Sequence, residues 1–488
     1  MLPLSPNLQL PTSGFGSHIS ARLDRLPTTR YIWTLLLLLS LGGCFEFYDL
    51  FLMTYIGPGL IRSGFFTGAS ASSLGPAGLK TPALHLVPGS GFAGLASFVS
   101  ATFAGLFIGT LVFGFAADKF GRRAIFTYSL LWYTAASIVM AFQTTRGLLA
   151  WRMIAGIGIG VELVTIDAYI AELLPKGVRG RAFAVNQVVQ FSAIPAVALV
   201  AWLLVPRSPF GIDGWRWVVL IGSVSAVAVW FIRRKIPESP RWLIARGRLD
   251  EAERTVAQME VRVAAESGSE LAPVVPENSA DAPPSGSVKF MQIFLPPYLG
   301  RTLMLMIFHL AQTIGYYGFA SWVPTLLIAS GIQTTASLQY SFIIAIFAPI
   351  GPLAVRGIAD RLERKWQIVW SAILIGAFGL LFARQREAGW LILLGVLLTC
   401  ANNWMSVAFH TYQAELFPTP VRAQAVGFVY SWSRFSAIFT SLMIGFFLQH
   451  FGVGGVFAFI AAAMLVVVLA IGIFGPRTRG LALESISQ

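Results

Sequence analysis

"YIAELLPKGVRGRA" occupies residues 169–182, and "YQAELFPTPVRAQA" occupies residues 412–425. In register, 243 residues apart, the two share Tyr, Ala, Glu, Leu, Pro, Val, Arg and Ala. A second pair repeats at almost the same spacing: "AADKFGRR" holds Asp118 and "IADRLERK" holds Asp360. Two independent matches at nearly one offset mark an internal duplication.

The duplicated chain is strongly apolar. Of 488 residues 56% are hydrophobic and only 12% are charged, with mean hydropathy +0.71. A soluble chain carries about 25% charged residues. Apolar blocks recur at 31–59, 92–117, 124–143, 147–170, 182–205, 215–233, 302–329, 338–359, 366–383, 390–413, 423–449 and 453–475. Most approach the length of about 20 residues that crosses a bilayer as a helix. In lipid a helix satisfies its own backbone, whereas a barrel would show short alternating segments. The expectation is an all-α membrane protein of twelve transmembrane helices in two six-helix pseudo-repeats.

Lys and Arg set the orientation. Arg62, Lys80, Arg146, Arg207, Arg216, Arg384 and Arg386 fall on one side, Arg152 and Arg434 fall within spans, and the rest fall on the side of the N-terminus. That bias places both termini inside. It also accounts for the net charge of +13 without a nucleic-acid partner. Both members of each repeated pair then lie on inside loops, so the repeat is parallel. Such paired six-helix halves hold their substrate between them near the midplane.

The expected organisation is a cytoplasmic tail over 1–30, a six-helix half over 31–233 and a cytoplasmic connection over 234–301. A second half over 302–475 and a short cytoplasmic tail over 476–488 follow. The first 30 residues show no signal-peptide pattern. The outer loop 60–91 is rich in Gly, Ser, Pro and Ala, and "ESGSELAPVVPENSADAPPSGS" within the connection reads as a disordered linker. Just before it, "RGRLDEAERTVAQMEVRV" reads as a solvated amphipathic helix, with Asp250 as its cap and Glu253 completing a capping box. Cys44 and Cys400 sit in apolar segments without metal-ligand spacing.

"GFAADKFGRR" (114–123), "RMIAGIGIG" (152–160), "YIAELLPKGVRG" (169–180) and "PESPRWL" (237–243) occur in an order that resembles the major facilitator superfamily, in its sugar-porter-related branch. The resemblance runs from about residue 20 to 475. It implies gating by the short inside loops, at Asp118, Arg122, Arg123, Glu172 and Arg179 and, in the second half, at Asp360, Glu415 and Arg422. There Glu363 replaces the loop glycine, a departure from symmetric gating. The glycines at 156, 158 and 160 let helices pack closely.

"QTIGYYGFASWVPTLL" (312–327) and "SWSRFSAIF" (431–439) are similar to stretches of the nicotinate and aromatic-acid:proton symporters and of organic-anion carriers. The implied substrate is a small organic anion, an aromatic or other carboxylate. The candidate substrate contacts are Arg434, Gln312, Tyr316, Tyr317, Asn402, Asn403 and Trp404. A guanidinium within a span needs a partner, and its fork suits a carboxylate. An internal bridge to Glu415 or Glu46 competes with that reading. His309 reads as a satisfied buried histidine, and His410 lies near the inner end.

"CFEFYDLF" (44–51) places Glu46 and Asp49 inside the first span. A charge there costs roughly 3 kcal/mol on insertion scales. Three residues apart, the two acids lie near one helix face. With Arg152 they form the candidate proton-coupling group. A static Glu46–Arg152 bridge between spans one and four is the structural alternative.

The resulting expectation is a secondary active transporter, a proton-coupled symporter working by alternating access. It would be a monomer in the lipid bilayer of a bacterial inner membrane, with both termini cytoplasmic. Sugar or polyol:proton symport is the alternative, and a non-transporting receptor stands behind both. No nucleophile–base pair, phosphate loop or metal spacing points to an enzyme, a cofactor or a metal.

Overall fold

The computed structural model describes residues 12–66, 91–233, 236–268, 270–274, 290–351, 362–417 and 421–478. Among them the regular elements are helices alone. A short helix, α1 (Thr12–Asp24), precedes the first pass. The first half comprises α2 (Arg30–Arg62), α3 (Gly91–Phe120), α4 (Arg122–Met140), α5 (Thr145–Leu173), α6 (Arg179–Phe191), α7 (Ala193–Leu204) and α8 (Gly214–Arg233). The connection carries α9 (Pro240–Ala245) and α10 (Leu249–Ser267). The second half comprises α11 (Leu299–Ala320), α12 (Val323–Ala329), α13 (Thr334–Ile346), α14 (Arg364–Phe382), α15 (Ala388–Glu415) and α16 (Arg422–Phe474).

Local chemistry explains why twelve passes are not twelve unbroken helices. The fifth pass divides into α6 and α7 because Pro195 has no N–H for the carbonyl of Phe191. Pro324 does the same to the carbonyl of Ala320, dividing the seventh pass into α11 and α12. The last two passes are one continuous element, α16, folded back at Gly452, whose φ of 65° suits glycine. Eight stretches among the described residues are long and apolar enough to cross a membrane, this double one included. With α4, α8 and α13 they make up the twelve.

The duplication is visible in individual hydrogen bonds. Arg122 pairs with Glu172 at 2.8 Å, and Arg364 with Glu415 at 3.0 Å. Arg179 Nε donates to the Leu174 carbonyl at 3.1 Å, and Arg422 Nε to the Phe417 carbonyl at 3.2 Å. The hydroxyl of Tyr169 donates to the Pro237 carbonyl, as that of Tyr412 does to Pro476. Each half thus closes the same clasp at the face where the described residues begin and end, here called the terminal face.

The halves meet towards the opposite face. There α3 packs on the first arm of α16, and α7 packs on α13. Ser100 Oγ donates to the Ile438 carbonyl at 2.9 Å, and the Phe103 and Tyr317 rings meet edge to face at 4.5 Å. Within the first half, α3 and α5 touch backbone to backbone. A Cβ on Gly156 would stand 2.5 Å from the Thr102 carbonyl, and one on Gly160 would stand 2.2 Å from that of Leu106.

Two expectations for the segments outside the spans need correction. Within the first 30 residues α1 is a docked helix, and α10 is not simply solvated. Ala252, Val256, Met259 and Val263 of α10 are buried in a cluster with Ile19 and Leu23 of α1 and Leu35 of α2. Nor does Asp250 cap α10, because the helix begins one residue earlier, at Leu249. Glu253 turns instead to Arg22. Glu260 takes Arg22 at 2.5 Å and Arg25 at 2.6 Å. Asp24 receives Arg179 at 3.1 Å and Arg241 at 2.6 Å. The linker centre over 275–289, and 67–90 of the outer loop, lie outside the described residues. Cys44 and Cys400 are both free thiols.

Burial raises the pKa of the Glu260 carboxyl, but the hydrogen bonds and charges of Arg22 and Arg25 outweigh it and leave the value below the ordinary 4.5. A carboxylate whose folded value is depressed stabilises docking fully above its ordinary value and loses that contribution as pH falls through the folded one. Docking of α1 on α10 should therefore hold at neutral pH and weaken only below about pH 4.5. Glu260→Gln should release α1 at pH 7. Protease or spin-label accessibility of α1 across that range tests both; an α1 equally protected in the variant would refute the role.

Candidate functional site

A cavity of about 450 Å³ lies between the halves, within the size range of small-molecule sites. It opens towards the terminal face. Asp167, six residues from the terminal end of α5, and His410, five from that of α15, line it and are exposed. Its depth is set by Tyr316 and Tyr317 of α11 and by Arg434 of α16. Arg434 is 5% exposed and sits twelve residues along α16, about 18 Å from the start of that helix.

The guanidinium of Arg434 donates to the Tyr317 hydroxyl at 3.0 Å and to the Tyr430 hydroxyl at 3.4 Å. It also stands 5.1 Å from the centroid of the Tyr430 ring. Its hydrogen-bond partners are neutral phenols, and no carboxylate among the described residues lies within ion-pair distance of it. Glu415 is not its partner as one reading expected, since Glu415 belongs to the clasp with Arg364. Glu46 is buried and near enough for its charge to act on Arg434 and Tyr317.

The acids of the first span divide their tasks. Asp49, not Glu46, holds Arg152, at 3.0 Å. Arg152 also donates to the Asp49 carbonyl at 2.6 Å and to Thr102 Oγ1 at 2.9 Å, while Ser137 Oγ donates to Asp49 at 2.9 Å. The alternative of a static Glu46–Arg152 bridge fails on depth. Arg152 is only seven residues from the start of α5, at the level of Asp49. Glu46 lies three residues, about 4.5 Å along the axis, nearer the terminal face. Asp49 and Arg152 therefore tie α2, α3, α4 and α5 together behind the cavity wall.

The remaining expected contacts separate. Gln312, Tyr316 and Tyr317 line the cavity with Arg434. Asn402 and Asn403 line a second cavity of about 40 Å³, on the other side of Tyr316, which is common to both. Their amides bond to the carbonyls of Leu398 at 3.0 Å and Ala348 at 3.1 Å. Trp404 lines neither cavity, and its indole N–H donates to Gln367 at 3.0 Å. His309 is buried with Nε2 2.9 Å from Gln413 Oε1, but its Nδ1 has no hydrogen-bond partner, so the expected satisfied histidine is met at one ring nitrogen only.

Sequence reasoning missed Asp167, Asn186, Gln187, Gln190 and Tyr430 in the cavity wall. Asp167 stood two residues before the repeated "YIAELLP" stretch, and that motif drew attention to the loop. Asn186, Gln187 and Gln190 recur at helical spacing in α6, a polar stripe in an apolar span that would have flagged them.

At the terminal face Asp118 pairs with Arg122 at 2.5 Å. Glu238 of the "PESPRWL" stretch accepts the backbone N–H groups of Arg122 at 3.0 Å and Arg123 at 3.1 Å. Trp242 and Arg246 both donate to the Asp118 carbonyl at 2.6 Å. The loop is thus fixed within its own half. Asp360 lies outside the described residues.

A family model for "Sugar (and other) transporter" matches residues 35–488. The chain belongs to this family of the major facilitator superfamily. Family members are transporters, not enzymes, and this transporter is an integral multi-pass membrane protein. It is 29% identical to the inner membrane metabolite transport protein YdjE of Escherichia coli, over 96% of this chain and 98% of that one. It is also 29% identical to the niacin transporter NiaP of Acinetobacter baylyi, over 96% and 99%. The E. coli xylose transporter XylE, in a partially occluded inward open conformation, superposes with a TM-score of 0.71 at 19% identity, covering 93% of this chain and 99% of that one. That likeness shows the shared fold.

In this transporter the Asp49–Arg152 pair should behave as a buried ion pair. Arg152→Met should cost about 3–5 kcal/mol, because it strands the carboxylate. The double variant Asp49→Leu/Arg152→Met should recover part of that loss. Thermal unfolding of purified protein reads both, and a double variant no more stable than Arg152→Met would argue against the pairing.

Proposed function

We propose that this transporter is a proton-coupled symporter of a small organic anion, working by alternating access from the bacterial inner membrane as a monomer with both termini cytoplasmic. The terminal face is then the cytoplasmic one. The halves, 31–233 and 302–475, rock about the cavity while the 234–301 connection keeps them joined. The observation that carries the anion reading is Arg434. It lies at the depth of the cavity with only phenols as hydrogen-bond partners. A carboxylate there would meet a planar fork and two hydroxyls. The niacin transporter among the relatives, whose named substrate is a carboxylic acid, supports the same class.

Coupling is assigned to Glu46, with the Asp49–Arg152 pair fixing the helix around it. An anion on Arg434 cancels the positive field at Glu46 and favours proton uptake there, so proton and substrate assist one another. Gating is assigned to the terminal clasps, Asp118, Arg122, Arg123, Glu172 and Arg179 in one half and Asp360, Glu415 and Arg422 in the other. Each clasp holds its half rigid while the other end opens. A second reading, sugar or polyol symport, is favoured by the amides of Asn186, Gln187, Gln190 and Gln312 in the wall, which suit hydroxyl groups.

Arg434→Ala should lower affinity for the carboxylate by the roughly 2–5 kcal/mol of a broken charge pair, about 30-fold to several-thousand-fold. Arg434→Lys should restore only part, since Lys keeps the charge without the fork. Amide analogues should lose far less. The assay is uptake and binding in liposomes under an imposed pH gradient, with labelled carboxylates screened beside sugars. Equal losses for acid and amide would make Arg434 structural, and sugar transport indifferent to Arg434 would favour the second reading.

A further inference from the structure

The two walls of the cavity are chemically unlike. The second-half wall presents donors, led by Arg434. The first-half wall presents a carboxylate without a hydrogen bond. Asp167 of α5 is exposed to the cavity and makes no hydrogen bond or ion pair with any described residue. Its neighbours on the same helix are occupied: Glu162 receives Ser129 Oγ at 3.4 Å, and Glu172 holds Arg122. Asn186 Oδ1 of α6 is a buried acceptor with no hydrogen-bond partner, on a residue only 3% exposed that lines the same cavity. Asp167 and Arg434 feel each other's charge but do not pair.

We propose that the substrate is amphoteric: it carries a protonated or N–H-bearing nitrogen besides its carboxylate, and Asp167 receives that nitrogen. The inference rests on the anion reading of Arg434. A plain anion on Arg434 would leave Asp167 facing a like charge across the cavity with no counter-charge of its own. A nitrogen donor at the far end of the ligand gives Asp167 the partner it lacks. The same cavity is lined by aromatic rings, among them Phe47 and Phe191, tilted against each other at 5.5 Å, and Tyr316, which suits a flat ring as spacer. A site built to bond a substrate nitrogen discriminates against the analogue that lacks it, because its acceptors are then left bare.

The test compares 3-(aminomethyl)benzoate with 3-ethylbenzoate, which differ only in the charged nitrogen, by calorimetric titration of the full-length protein in detergent. The wild type should prefer the amino acid by at least about tenfold, a difference of about 1.4 kcal/mol. Asp167→Asn should erase most of that preference, with 3-ethylbenzoate gaining affinity as the repulsion disappears. Asp167→Glu, which keeps the charge, should retain the preference and shows that loss in Asp167→Asn is not misfolding. Equal affinity of the two ligands for the wild type overturns the proposal, as does a preference that survives Asp167→Asn. Loss of pH-driven uptake in Asp167→Asn with the preference intact would also overturn it and make Asp167 a proton site. If neither acid binds the wild type, the anion reading itself fails, a result distinct from the others.

Discussion

A charge or a bare peptide group in hydrocarbon has no water to turn to, and every feature of this molecule answers to that constraint. Arg152 shows it most plainly. It is fully buried, and it is tolerated because Asp49, Thr102 and two backbone carbonyls surround it. The same four-helix knot fixes the first half as one body. The close backbone contact at Gly156 and Gly160 depends on that fixed geometry. So does the position of α2, whose Phe47 and Leu50 form part of the cavity wall.

Against that rigid background, the cavity is where polar groups of the spans face open space between the halves. Arg434 is bonded to phenols, Asp167 has no hydrogen bond among the described residues, and the amides of α6 line the wall beside it. Such a layout leaves binding capacity in reserve rather than spending it inside the protein. At the terminal face the pattern is reversed, because every charged group of the clasps described here is already engaged. In the proposed alternating access, motion would concentrate where the halves meet, with each half moving whole.

The fold was legible because it is written in long-range regularities: twelve apolar blocks and a repeat at one offset. Helix breaks were not read from the apolar blocks, since Pro195 and Pro324 interrupt helices without interrupting hydrophobicity. Arg434, Gln312, Tyr316 and Tyr317 were legible as site residues because polarity inside an apolar span is conspicuous. Asn402, Asn403 and Trp404 were equally conspicuous yet turn to carbonyls or to Gln367, because composition does not tell which side of a helix faces the cavity. Partner choice was the other blind spot. Glu46 and Asp49 share a face, and only the relative depth of α5 decides which of them meets Arg152.

The two clasps, alike in three of their contacts, differ in who supplies an acid. In the first half Gly121 leaves the loop bare, and a side chain there would stand 2.5 Å from the Glu238 carboxylate that grips the loop from outside. In the second half Glu363 occupies the glycine's place, and its own carboxylate reaches out to the N–H of Thr478 at 2.9 Å. The position matching Glu238 is Arg477. In each half a carboxylate takes backbone N–H across the joint, but it is supplied from opposite sides. The halves, born as copies, are thus no longer interchangeable parts: a loop moved alone from one to the other would bring two carboxylates to one joint and none to its twin.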